Sequence, residues 1–154
     1  MATKKPLVIT NGQIERLQSG DRIDLGNSSN RQNDSGNTIN KCAPVYVTGN
    51  NANLAQADSQ STVRVAGLAE ADTANGNVVT VITDNIFEAT TGEWDTVTGE
   101  TGGLTPGADY WLSATTAGQL TQNAPDADGE FVQKVGHALS TTELDIEIGQ
   151  PVKL

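Results

Sequence analysis

The chain has 154 residues, of which 36% are hydrophobic and 4% aromatic, and its formal net charge at pH 7 is −10. A chain of this length can bury one core, but so few aromatic side chains keep the apolar area buried per residue modest. The acidic balance argues against nucleic-acid binding, because that affinity comes from clustered Lys and Arg side chains that neutralise phosphates. We therefore expect one small acidic domain, or a domain with an arm.

Membrane and secretory signals are not apparent in the sequence. No apolar stretch reaches the roughly 18 residues of a membrane span, and Lys4 and Lys5 precede too short an apolar run for a signal peptide. Cys42 is the single cysteine, so no disulfide forms within the chain. We expect synthesis in a cytosol-like compartment and no membrane association.

The first 25 residues hold spaced apolar side chains but are too few to build a core. Such residues ordinarily pack into a groove on another surface, so we interpret 1–25 as an N-terminal arm that binds a partner. Packing on the chain's own body as a first strand is the alternative. Within the arm, residues 11–19 suggest a short helix, because Thr10 and Gln13 have capping-box spacing. The expected binding residues are Leu7, Val8, Ile9, Ile14, Leu17, Ile23 and Leu25.

Residues 26–40 contain a single apolar side chain, Ile39, among Asn, Ser and Gly. Little there offsets the entropy lost on ordering, so the segment is predicted to be a polar linker. Residues 1–41 carry six basic against four acidic residues, a net charge of +2, whereas 42–154 carry three against fifteen, a net charge of −12. A hydrated acidic face explains this split, and an arm that docks on a complementary surface is the alternative.

The body, residues 41–154, consists of short β-branched or apolar runs separated by turn-forming residues. An internal repeat covers about 43–84 and 104–149, and in each copy an aromatic strand is followed by a strand centred on Leu, a strand containing Gly and a final apolar strand. We predict an all-β fold in which two similar short-stranded β-units form a compact barrel- or sandwich-like body, with an extended N-terminal arm. Residues 85–103 are interpreted as the connection between the units, made of loops.

Three aromatic residues lie close together in sequence and are expected at the core or at a subunit contact. They are Trp94, Tyr110 and Trp111.

Residues able to do chemistry are sparse. His137 is the only histidine, and no Gly-x-Ser-x-Gly elbow is present, so we expect no enzyme activity. Asp126, Asp128 and Glu130 alternate as in some calcium loops, but Phe131 stands where the glycine of such a loop belongs. We predict no metal and no cofactor. A glycosidase would need paired carboxylates, for which Asp126 with Glu130, or Glu143 with Glu147, are candidates by spacing alone.

Several sequence segments of the body resemble segments of tailed-bacteriophage capsid decoration and head-fibre proteins. The quoted phrases are Ala43-Pro44-Val45-Tyr46-Val47, Val65-Ala66-Gly67-Leu68-Ala69, Gly103-Leu104-Thr105-Pro106-Gly107-Ala108-Asp109-Tyr110-Trp111-Leu112, Ala117-Gly118-Gln119-Leu120-Thr121, Val135-Gly136-His137-Ala138-Leu139-Ser140 and Ile146-Glu147-Ile148, with Ile14-Glu15-Arg16-Leu17-Gln18-Ser19-Gly20-Asp21 in the arm.

This resemblance implies a homotrimeric structural protein on the outer surface of the head, a head-stabilising or cementing protein that bridges major capsid protein subunits. The lambda-type proteins combine a β-rich body with an N-terminal segment that orders on the capsid. This chain is longer and its body is duplicated, so a one-to-one correspondence does not follow. The alternative is a tail-associated or fibre module that binds a host surface receptor through exposed loops such as 84–103.

Overall fold

The computed structural model describes residues 27–154 in full and, before them, only the backbone of two short strands. Within the described residues, the fold is built mostly of short strands with one short helix. This confirms the all-β class predicted from the sequence. Within the described residues no helix is long and apolar enough to span a membrane. The elements are β1 (Leu7–Thr10), β2 (Gln13–Arg16), β3 (Ser28–Asn33), β4 (Pro44–Thr48), β5 (Asn51–Leu54), β6 (Gly67–Ala69), β7 (Val78–Ile82), β8 (Ile86–Glu88), α1 (Thr91–Thr98), β9 (Asp109–Leu112), β10 (Leu120–Thr121), β11 (Phe131–Val132), β12 (Lys134–Ala138), β13 (Glu143–Ile146) and β14 (Val152–Lys153).

The first unit, residues 27–83, is a closed barrel with the strand order β3-β5-β4-β6-β7. Its neighbouring strands are antiparallel except β3 and β5, which are parallel and close the barrel at Gln32 and Asn51. Val79 and Val81 of β7 are fully buried while Val78 is exposed, the alternation expected of a strand with one face in the core.

The predicted linker over 26–40 is corrected by the structure, because β3 belongs to this barrel. It pairs with β7 from Ser28 to Gln32, and the Asn33 side chain, 1% exposed, donates to the carbonyl oxygens of Thr73 (2.7 Å) and Asn37 (2.8 Å). Ile39, the lone apolar residue, is fully buried. Local composition gave no hint of this strand, since its stability comes from a partner about 50 residues away.

The second unit, residues 85–146, is a five-stranded sheet with the order β10-β9-β12-β13-β8. The corresponding strands of the barrel, β5-β4-β6-β7-β3, have the same order and the same antiparallel connections. The two units therefore share one topology.

Hydrogen bonds make the correspondence residue by residue. The Ala69 N–H donates to the Ala43 carbonyl (3.0 Å), as the Ala138 N–H does to that of Ala108 (2.9 Å). In return, the Cys42 N–H donates to Ala69 (2.9 Å) and the Gly107 N–H to Ala138 (2.8 Å). Cys42 and Gly107 both have positive φ, 71° and 82°, so the cysteine occupies a backbone conformation that normally favours glycine.

Two glycines occupy equivalent positions in the two units, and at each of them the adjacent strand leaves no room for a side chain. A Cβ on Gly67 would meet the Ile82 backbone and the Val81 side chain, and one on Gly136 would lie 2.5 Å from the Asp145 carbonyl oxygen. Neither glycine has a positive φ, so the requirement is space. These positions let β6 and β12 pack directly on β7 and β13.

The units differ in how the chain continues after the first strand of each unit, which is β3 in the barrel and β8 in the second unit. In the barrel β3 runs on to reach β5, whereas β8 ends and the chain enters α1, which contacts β10. Trp94 of α1 is fully buried and packs edge-to-face on Phe87, with ring centroids 5.8 Å apart. The helix thus fills the gap that strand pairing closes in the first unit.

The helix corrects the expectation that residues 85–103 are only loops. Thr90 and Glu93 form a capping box, and Gly99 ends the helix in the left-handed conformation with φ of 70°. The sequence signal was available, since Thr90 and Glu93 have capping-box spacing and a glycine follows. Gly92 in the first turn obscured it.

A segment between β5 and β6 joins the two units. Its Ala57 N–H donates to the Ser113 carbonyl (2.9 Å), and its carbonyl accepts from the Phe131 N–H (2.9 Å). The buried Gln133 side chain accepts from the Val65 N–H (3.1 Å) and donates to the Gly149 carbonyl (2.9 Å). Buried apolar residues of both units form one continuous core.

Before residue 27 the structure describes a hairpin in which Thr10 pairs with Gln13 and Leu7 with Arg16. The expected helix over residues 11–19 is therefore wrong for 13–16. The intervening dipeptide Asn11-Gly12 is the strongest short signal for a two-residue hairpin turn. The capping-box spacing of Thr10 and Gln13 favoured a helix there instead.

Gly67→Ala and Gly136→Ala are each expected to lower the free energy of unfolding by about 2–4 kcal/mol, because a backbone atom of the next strand must move. Gly92→Ala is the matched control, since its Cβ would meet nothing within 4 Å and alanine favours a helix. Urea denaturation measures all three. Equal stability of Gly67→Ala and the control would contradict the close packing of β6 on β7.

Candidate functional site

The side chains of the expected arm residues lie outside the described part of the structure. Leu7, Val8 and Ile9 lie on β1 and Ile14 on β2, for which only the backbone is described. Leu17, Ile23 and Leu25 lie outside the described residues. The capsid-binding role of this set stays a prediction.

The three aromatics occupy different environments. Trp94 and Tyr110 are fully buried and Trp111 is half-buried. The Trp94 indole N–H donates to the Thr142 carbonyl at 3.0 Å, which satisfies its one polar atom inside the core.

Tyr110, on β9 of the second unit, is the centre of a network of side-chain hydrogen bonds. Its hydroxyl donates to the Glu100 carboxylate (2.9 Å) and accepts from the Thr105 N–H (2.9 Å). Gln122 donates to the same carboxylate at 2.8 Å. Burial raises the pKa of the Tyr110 phenol, opposed by the Thr105 hydrogen bond and aided by Glu100. The network positions the loop after α1.

A row of charges crosses the exposed face of β9, β12 and the residues after β13. Asp109 lies 2.8 Å from His137 Nδ1 and 2.9 Å from Lys134 Nζ, and Lys134 also pairs with Glu147 at 2.6 Å. The hydrogen bonds from His137 and then Lys134 hold the pKa of the Asp109 carboxyl below its usual value. His137 thus forms a side-chain hydrogen bond with Asp109 at the position that Leu68 fills in the first unit.

Cys42 is buried at the start of the barrel strand β4 and is a free thiol. Burial raises its pKa to about 12, opposed by Lys41 and reinforced by Glu93 and Asp72. A thiol held in its neutral form is a poor nucleophile. Its role is to fill space in the core.

The carboxylates at 126–130 do not assemble into a cation site. Asp126 and Glu130 line an open cleft of about 350 Å³ beside β10 together with Ser113, Thr115 and Gln119. Within residues 27–154, no cluster of three His, Cys, Asp or Glu side chains has the spacing of a metal site. The cleft therefore presents mainly hydroxyl and amide groups.

A second groove, of about 340 Å³, follows β8 at the junction of the two units. Ile82 and Asn27 of the first unit line one side, and Ile86 and Phe87 of the second unit the other. Ile86 is 55% exposed there. Local sequence patterns do not indicate this groove, because it depends on how the two units meet.

In comparisons with known proteins, no family model matches the chain, and no curated protein or solved structure is significantly similar to it. The functional argument therefore depends on the chain's own residues.

Tyr110→Phe is expected to lower the free energy of unfolding by about 1–2 kcal/mol, because the Thr105 N–H and the Glu100 carboxylate lose their common partner. Tyr46→Phe is the matched control, because the half-buried Tyr46 packs against the core and its hydroxyl has no hydrogen bond within residues 27–154. Thermal and urea unfolding measure the difference. Equal losses in both variants would contradict the role assigned to the network.

The Cys42 thiol is expected not to react with a disulfide reagent at pH 8 in the native protein and to react fully in urea. Because the folded pKa of about 12 exceeds that of an unfolded thiol, folding keeps the group protonated. Stability is therefore unaffected below the unfolded pKa and falls as the pH rises above it. Fast labelling of the native protein at pH 8 would refute the buried assignment.

Proposed function

We propose that the chain is a structural virion protein that binds the outer surface of a phage capsid and stabilises the shell by bridging major capsid subunits. The observation that carries the proposal is the division of the chain. Residues 27–154 supply both β-units and a continuous core, while the preceding residues hold spaced apolar side chains and four of the nine basic residues.

The mechanism is binding alone. Apolar residues of the arm fill grooves, or β1 and β2 add strands, on neighbouring capsid subunits. A homotrimer presents three such arms, and linked weak contacts raise the effective concentration of each remaining arm at its site. The body needs no chemistry for this role, which agrees with a Tyr110 network and a Cys42 thiol that both stabilise the fold.

The acidic body suits an outward position. Residues 42–154 carry a net charge of −12, and charge of one sign keeps a particle surface hydrated and soluble. This charge supports a compact cap with an arm.

A second candidate function is a tail-associated or fibre module that binds a host receptor, and the polar cleft beside β10 favours it. Ser113, Thr115, Gln119 and Asn123 line that cleft and offer hydrogen-bond partners for sugar hydroxyls. Immunogold labelling of the virion separates the two functions, since the first requires label on the head and the second on the tail.

Deleting residues 2–25 is expected to abolish co-sedimentation with capsids lacking the protein while circular dichroism still reports a folded β body. A double variant, Leu7→Asp with Ile9→Asp, is expected to weaken binding at least tenfold without truncation, because charges replace apolar groups at the contact. The matched control is Val78→Asp with Leu139→Asp, two exposed aliphatics of the body. Undiminished co-sedimentation of the truncated chain refutes the role of the arm.

A further inference from the structure

Two strands of the body have an edge that pairs with no other strand within residues 27–154, and the first of them is β8. On its paired side the Ala89 N–H donates to the Thr142 carbonyl at 3.0 Å. Because only every second residue of a strand bonds to a given antiparallel neighbour, the backbone N–H and C=O groups of Ile86 and Glu88 face away from β13. No described strand lies on that side.

The barrel protects the equivalent edge of β3 with one of its own side chains. Asn30 of β3 corresponds to Glu88 of β8, because each lies two residues beyond an equivalent cross-strand pair. The Asn30 carbonyl accepts a hydrogen bond from Arg31 Nη1 at 2.9 Å. A charged side chain placed on a strand edge blunts that edge. Within residues 27–154 no side chain donates to the Glu88 carbonyl, so the edge of β8 can accept another strand.

The second open edge belongs to β14, which pairs only with β11 among the described strands. The Leu154 N–H donates to the Glu130 carbonyl at 2.9 Å, so the backbone groups of the preceding residue, Lys153, face away from β11. Pro151 stands just before the strand. Proline and lysine at an edge prevent indiscriminate pairing. Such an edge pairs best with a strand whose charge offsets that of the lysine.

The two edges carry opposite charges next to exposed apolar side chains. Glu88 and Lys153 are both exposed, and neither has an ion-pair partner within residues 27–154. Ile86 is 55% exposed and Leu154 43%. Pairing of β14 with itself would place two Lys153 side chains opposite each other, which is unfavourable. The charges therefore favour pairing of β14 with β8.

Because β8 and β14 lie in different sheets of one copy, a contact between them joins two copies. We propose that β14 of one copy pairs antiparallel with the open edge of β8 in the next copy, with Lys153 opposite Glu88. The two residues then exchange two backbone hydrogen bonds and form a cross-strand ion pair. In this register Leu154 lies opposite Phe87, which lines the groove beside β8.

The contact joins two different surfaces, and repeated contacts of this kind close into a ring or continue as a filament. One contact between two short strands is weak, because it contains only two backbone hydrogen bonds. In a closed ring of three, each copy is held on two sides, and the second contact forms at a high effective concentration. The inference rests on the homotrimer of the proposed function and names its subunit contact.

Charge reversal tests this contact in the absence of capsids. Glu88→Lys and Lys153→Glu are each expected to weaken assembly of the full chain at least about tenfold, because like charges then lie opposite each other. The double variant restores the ion pair in the reverse direction and is expected to assemble as the unchanged chain does. Asp126→Lys and Arg64→Glu, at two other exposed positions, are the matched controls. Sedimentation velocity over a range of concentrations measures the association.

Three results of this experiment overturn the proposal. They are a monomeric full chain, an association that neither single reversal changes, and a double variant that assembles no better than the single ones. Circular dichroism first checks that each variant retains the β fold.

Cross-linking identifies the two strands without any substitution. Isotope-labelled and unlabelled chains are unfolded, refolded together and treated with a carbodiimide, which joins a carboxylate to a nearby amine. The expected product joins Glu88 to Lys153 with one labelled and one unlabelled peptide, found by mass spectrometry. Trimers that lack this product, or products that only ever join peptides of the same label, contradict a contact between copies.

The deletion of residues 2–25 separates this contact from the arm. Since β8 and β14 both lie in the body, the truncated chain is expected to assemble as the full chain does, and loss of its assembly overturns the proposed contact. A truncated chain that assembles but still binds capsids refutes only the role of the arm. Failure of the subunit contact and failure of the proposed function are therefore distinguishable.

Discussion

The close approach of backbones at Gly67 and Gly136 is the constraint on which both units depend. At each position a single added carbon would meet a backbone atom of the adjacent strand, so β6 and β12 lie directly on β7 and β13. Interiors are packed to nearly crystalline density, and a shift at this contact would move the strand ladder on either side. The hydrogen bonds at Ala69 and Ala138 repeat with nearly equal lengths, which indicates that the same contact fixes the same local geometry twice.

The two units share one strand order, but the first is a closed barrel and the second is an open sheet. The first unit closes by pairing β3 with β5, whereas the second ends its fifth strand early and fills the gap with α1 and the Trp94 side chain. Strand closure satisfies backbone hydrogen bonds on both sides of β3. Helix closure buries a large aromatic ring but leaves the outer edge of β8 without a described partner. One unit is therefore sealed, whereas β8 of the other has no strand on its outer edge within the described residues, and the groove lies beside that edge.

The sequence was sufficient for the all-β class and for two similar units, because alternation and turn residues act locally. It failed at β3, where Ser28 to Asn33 have no apolar pattern and form a strand only because β7 pairs with them. Helix α1 and the β1–β2 hairpin were also not predicted. Thr90 with Glu93 carries the local signal for the helix, and the dipeptide Asn11-Gly12 carries that for the hairpin. Trp94 and Tyr110 could be expected in the core. The β8 groove could not be expected, since Asn27 and Lys41, which line it together with residues between 82 and 88, are distant from those residues in sequence.

The position of β3 also has a mechanical consequence. This strand is the one that continues into the N-terminal segment. It is held by β7 from Ser28 to Gln32 on one side and by β5 at Gln32 and Asn33 on the other. A pull along the strand axis loads these hydrogen bonds in shear, so that they resist together instead of opening one after another. Resistance to such a pull is governed by the unfolding rate and not by equilibrium stability alone. A tether that leaves the domain through this strand transmits tension into the barrel without unzipping it.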